Sequence, residues 1–274
     1  MAENVIVDLY NAPSFKNPSP PYTLCNTVGC LPIPCNKNSP CRSNNPGSPP
    51  LLPGEERQIK VYLKSPSESD IAGIKTDTSL DYKVDYGFEA AFVYIVPVVN
   101  LEEIIKRQRA NERADVIFSK SHSSGPIKID AELIGAKYIL ANQPAVLSFK
   151  IKNIGSGTLQ DSKIEETLIG PVLTRIPTGL SIRFPKGLVN NINDIKEKPE
   201  NFECTELADE FRCYNTQDIE IFKDESRTSI RFKINPPLPQ DVPLRSYTIV
   251  ATAGYTYELR NSVKVTVNPF QNVG

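Results

Sequence analysis

Two stretches of apolar alternation, one in each half of the chain, run into the same aromatic pattern, and they constrain the fold more than any other feature. Leu80, Tyr82, Val84, Tyr86 and Phe88 fall on one face of a strand, and Phe92, Tyr94, Val96 and Val98 on one face of a second run. Period two is the spacing at which an extended chain returns its side chains to the same side. Near the other end Tyr247, Ile249, Ala251, Ala253, Tyr255 and Tyr257 repeat the alternation, followed by Val263, Val265 and Val267. With Glu89-Ala90-Ala91 and Asn261-Ser262 read as turns, each stretch predicts a hairpin. Aligning Tyr86-Gly87-Phe88-Glu89 with Tyr255-Thr256-Tyr257-Glu258 brings Tyr94, Val96 and Val98 onto Val263, Val265 and Val267. Such an internal repeat predicts two related β domains.

A chain of 274 residues can bury two ordinary cores. Its 24 prolines against 14 glycines suit a β-rich protein, because proline is confined to strand ends, edges and loops. The expected fold class is therefore all-β, with β-sandwich domains at residues 1–100 and 126–274 and a charged helical linker at 101–125. In that linker Asn100 can cap a helix, Glu103 completes a capping-box pattern, and Glu102/Lys106 and Glu103/Arg107 are spaced for i,i+4 pairs. In the first domain, residues 57–64 alternate as a half-buried strand does.

The six cysteines are Cys25, Cys30, Cys35, Cys41, Cys204 and Cys213. An even number in two local clusters is expected of disulfides formed in an oxidising compartment. Zinc is the rival, but its cysteines usually stand two to four residues apart; here Cys25, Cys30, Cys35 and Cys41 leave gaps of four, four and five residues. The pairing among the first four stays open. Cys204 and Cys213 flank eight residues that a disulfide would close into a loop.

Phe149-Lys150-Ile151-Lys152-Asn153-Ile154-Gly155-Ser156-Gly157 resembles the strand-Asn-x-Gly-x-Gly signature of CARDB-type domains, and Leu52-Pro53-Gly54-Glu55 resembles the turn that opens a strand in the same family. These are immunoglobulin-like modules of prokaryotic surface proteins. The whole chain is similar to surface proteins of small-genome archaea with tandem modules of this kind. The resemblance implies two immunoglobulin-like sandwiches and an extracellular, adhesion-related role. Residues 186–218, which carry Cys204 and Cys213, read as an insertion into the second module.

Catalytic chemistry finds little to stand on. His122 is the single histidine, in Lys120-Ser121-His122-Ser123-Ser124-Gly125, and reads as a solvated linker residue. A nucleophile, base and orienting group cannot be held in register by neighbours in a loop. Asp81 with Asp85, or Glu206 with Asp209 and Glu210, offers oxygen ligands for calcium without a calcium loop's spacing. Asp81 and Asp85 read instead as the solvated face of a strand. No cofactor is expected. A net charge of −1 leaves no basic field for nucleic acid. The longest apolar run, residues 90–99, is half the length of a spanning helix and contains Pro97. Any membrane association is expected to run through an anchor outside this sequence.

The expected function is non-enzymatic: a stalk, adhesive module or surface-assembly component at the cell surface. Its partner, a protein or a surface glycan, is expected on the loops at residues 11–53 and 186–218. The alternative is a carbohydrate-binding accessory module of a larger secreted protein, against which the absence of tryptophan counts.

Overall fold

The computed structural model describes residues 2–11, 22–26, 29–33, 41–42, 56, 58–60, 65–71, 74–112, 118–160, 163–164, 179–221 and 226–269. Through most of the strands before residue 61 it describes the backbone alone. The Leu52-Pro53-Gly54-Glu55 turn and the side chains of Cys25, Cys30, Cys35 and Cys41 lie outside the described part. By its internal contacts the chain divides into residues 1–88 with 256–274, and residues 89–255. The boundary expected at residue 100 falls inside the second of these units.

The first unit contains β1 (Ala2–Asn11), β2 (Tyr22–Asn26), β3 (Gly29–Ile33), β4 (Cys41–Arg42), β5 (Gln58–Lys60), the short α1 (Glu68–Ile71) and the start of β6 (Thr76–Val99). β6 runs antiparallel to β1, with Ala2 opposite Phe88 and Asn11 opposite Asp81, and β1 pairs in turn with β4. A separate sheet places β2 between β3 and β5, with Cys25 opposite Cys30 in the backbone register.

The second unit continues with the rest of β6, then α2 (Leu101–Arg109), β7 (Ser119–His122), β8 (Ile127–Ile134), β9 (Ile139–Leu140) and β10 (Ala145–Asn153). There follow β11 (Thr158–Leu159), β12 (Lys163–Ile164), β13 (Gly179–Pro185), β14 (Ile195–Glu197), β15 (Phe202–Glu206) and β16 (Glu210–Asn215). β17 (Ile219–Glu220), β18 (Ser226–Ile234) and β19 (Leu244–Val267) complete the chain. One sheet has the order β14-β18-β10-β8; the other runs β15-β16-β13-β19-β6, with β7 and β9 also on β6 and β11 on β19. The β10–β18, β10–β8, β13–β16 and β13–β19 pairs are antiparallel, and β9 runs parallel to β6.

Aromatic rings join these two sheets. Phe232 of β18 stands 5.5 Å from Phe184 of β13 and 5.5 Å from Phe202 of β15, and its neighbour Phe149 lies 6.0 Å away, all four fully buried. Burying a phenylalanine contributes roughly 1.5–3 kcal/mol, so this cluster is a substantial part of the cohesion between the layers. The protein is thus built mostly of antiparallel strands with few helices.

The two expected hairpins are instead two continuous strands of 24 residues, β6 and β19, adjacent in sheet order. A two-residue hairpin turn needs positive φ. Among the described residues positive φ occurs at Asn111, Asn142, Gly135, Gly179 and Gly187, and at neither Glu89-Ala90-Ala91 nor Asn261-Ser262. The repeated segments are sheet neighbours: Tyr86 meets Tyr257 with ring centroids 5.7 Å apart. Burial, with Tyr257 beside it, pushes the Tyr86 phenol up to about 12.

The expected linker is helical at its start, as read, but continues into a strand. Asn100 caps α2 by accepting from the Glu102 N–H, and its own N–H donates to the Pro243 carbonyl. Glu103 does not close a capping box but pairs with Arg107 at 2.5 Å. The helix ends at Arg109 and buries Ile104 in the second unit. Residues 119–122 are strand β7, paired with β6, because Phe118 stacks on Tyr94 at 5.8 Å and draws the chain onto the sheet.

Candidate functional site

Residues 186–218, expected as a loop insertion, contain three strands, β14, β15 and β16. β15 and β16 make a hairpin whose second strand pairs with β13, Ile182 opposite Cys213 and Phe184 opposite Phe211. Phe202, Phe211 and Cys213 are fully buried, and β14 joins the opposite sheet. The charged residues of this segment obscure its alternation, which is why it reads as a loop. Asn215 also gives no sequence signal, yet it is fully buried: its carbonyl oxygen accepts from the Leu180 N–H at 2.7 Å and its amide donates to the Gln217 carbonyl. It satisfies a backbone group where a strand ends.

Cys204 and Cys213 stand directly opposite in register and are joined by a disulfide, with Cα atoms 4.0 Å apart. The clip lies at mid-hairpin and leaves the tip projecting. There the Leu207 N–H donates to the Glu210 carbonyl at 2.9 Å, which closes a turn through Ala208 and Asp209. Lys186 braces this tip on one side: its ammonium bonds Glu206 at 2.9 Å and lies over the Phe211 ring, and its N–H donates to the Asp209 carbonyl. Gly187 allows that approach. Its φ is +98°, and a Cβ would stand 3.0 Å from Cε1 of Tyr247. Leu207 remains 43% exposed at the end of a doubly fixed hairpin.

The other candidates are dispersed. His122 is part of β7, opposite Phe92, its ring 5.0 Å from that phenylalanine and its Nδ1 2.9 Å from the Ile129 carbonyl. A carbonyl only accepts, so Nδ1 carries the proton, and the residue, exposed as expected, ties β7 to β8 as part of a strand rather than a linker. Ser123 Oγ accepts from the Ala91 N–H. Nearby, Lys120 bonds Asp130 at 2.8 Å and lies over the Tyr94 ring. Burial raises the Asp130 carboxyl, but the hydrogen bonds from Lys120 and the Ala131 N–H outweigh it and hold the group below the usual carboxylate value.

Asp85 is not on a solvated face. It is 8% exposed, its Oδ2 lies 3.2 Å from Lys83, and its buried Oδ1 has no hydrogen-bond partner among the described residues. Lys83 also approaches Glu258, which Arg260 holds at 2.6 Å. These charges form an ion-pair ladder between β6 and β19. Among the described residues no three His, Cys, Asp or Glu side chains converge as metal ligands. No described helix is long and apolar enough to cross a membrane.

Asn153 is fully buried, accepts from the Gly155 N–H and donates to the Gly157 carbonyl, closing the turn after β10 with its own amide. The arrangement as a whole is a braced, disulfide-clipped projection on a two-layer β unit. The chain matches no protein-family model, no curated protein and no solved structure.

Proposed function

We propose that the chain is a non-enzymatic cell-surface protein of two immunoglobulin-like, CARDB-like modules, serving as a stalk, adhesive or assembly element of a prokaryotic, archaeal type of surface. The observation that carries this reading is the Cys204–Cys213 disulfide beneath an exposed hairpin tip. Disulfides persist where thiols are not continually reduced, which favours an extracellular site. A cross-link on a projection already held by Lys186 stiffens a surface more than it helps a core, as a contact element requires. The two sheets joined by Phe232 and the turn closed by Asn153 support this reading.

Partner contact on this reading centres on the tip, because Phe202, Phe211 and Cys213 root the rest of that hairpin in the core. The test is non-reducing intact mass after alkylation under denaturing conditions, on protein recovered from its native cells. No adduct before reduction and six after it would support an extracellular protein with all six cysteines paired. Six adducts without reduction would overturn the localisation.

A further inference from the structure

We propose that the hairpin tip of one copy seats in a concavity on the second unit of another copy, so that the chain associates with itself through two different, complementary patches. This rests on the hairpin being a contact surface and names its partner. The concavity measures about 450 Å³ and lies where β8 turns towards β9 and β10 begins, the chain bending at Gly135 with φ +76°. Leu133, Tyr138, Leu140 and Val146 form walls, and Ile134 is 40% exposed at its side. That is a size and lining suited to an apolar side chain. The single formal charge in its lining is Lys137, which makes no ion pair among the described residues.

The tip has the matching properties. Leu207 is its apolar knob, Ala208 keeps the turn narrow, and Asp209 places an exposed carboxylate two residues on. Glu206 is engaged by Lys186 and Glu210 by Arg183, whereas the Asp209 carboxylate has no ion-pair partner among the described residues. A leucine with an adjacent acid thus faces an apolar hollow with a lone ammonium. The disulfide and the Leu207–Glu210 hydrogen bond fix the knob beforehand, which lowers the entropic cost of docking. Because knob and hollow are different patches, the contact is heterologous: it closes as a reciprocal pair or extends head to tail. So small a contact gives weak association, with a dissociation constant on the order of 0.1 mM.

Sedimentation velocity of the oxidised full chain, over concentrations spanning that value, tests the proposal. The wild type should shift to dimers or longer species as concentration rises, and Leu207→Glu should weaken this by about tenfold or more. Lys137→Glu and Asp209→Lys should each stay monomeric alone, yet associate when mixed, since every contact between the two variants then joins opposite charges. A wild type that is monomeric throughout, or association untouched by Leu207→Glu and Lys137→Glu, would overturn it. If the wild type stays monomeric while Leu207→Glu abolishes binding of the chain to its native cell surface, self-association fails and the hairpin keeps its role as a contact surface.

Discussion

The two long strands each have a dry half and a half-exposed half, though both halves alternate apolar residues alike. In the second unit Phe92, Tyr94, Val96 and Val98 are at most 3% exposed, and so are Ile249, Ala251, Ala253 and Tyr255. In the first unit Leu80, Tyr82 and Val84 of β6 are only half-buried, and Val263 of β19 is 50% exposed. The dry halves lie in the unit whose two sheets are joined by Phe232; the others carry the ladder of Lys83, Asp85, Glu258 and Arg260. Alternation therefore announces a strand and its faces, but burial depends on a second layer being laid over one face.

The largest expected effect tests that contrast directly. Phe232→Ala should destabilise the second unit by about 3–5 kcal/mol, since it empties the centre of a ring cluster that cannot collapse fully. Tyr82→Ala in the half-exposed region should cost about 1–2 kcal/mol. Urea unfolding of both variants checks this, and equal losses would break the comparison. Next, replacing Cys204 and Cys213 together by alanine should cost about 2–3 kcal/mol, the loop entropy of so short a clip. The same melts in reductant should then separate wild type and variant no further.

A smaller effect probes close packing. Gly187→Ala should cost about 1–2 kcal/mol, because it combines a positive φ with contact against Tyr247. Gly135→Ala, where φ is also positive but a Cβ would meet open space, should cost less. The difference isolates the packing contribution, and thermal unfolding of the pair measures it. The smallest effect is electrostatic. The folded Asp130 carboxyl lies below its unfolded value of about 3.9, so its contribution is present above that pH and is lost as the pH falls through the lower folded value. Lys120→Met should flatten this part of the acid-unfolding curve, and an unchanged curve would remove Lys120 as the cause.

Much of the local structure was legible. The cap at Asn100, the Glu103/Arg107 pair and the Cys204–Cys213 link all follow from spacings within a few residues. The candidate contact site was half legible: its cysteines mark the hairpin, but nothing in residues 186–218 foretells that Phe202 and Phe211 enter the core beside it. Local polarity there reflects the outward positions, and the inward ones stand out only once β13 is alongside.

By itself the sequence determined that the chain is all-β, where much of its alternation lies, and that Asn100 caps a helix and Cys204 links to Cys213, because those depend on neighbouring residues. Tertiary structure decided that the repeated aromatic segments are neighbouring strands of one sheet rather than two closing hairpins, and that His122 is a strand residue hydrogen-bonded to Ile129. It also decided that Asp85 is buried. Those outcomes rest on which distant strands pair and what lies over each face, and period two is silent on both.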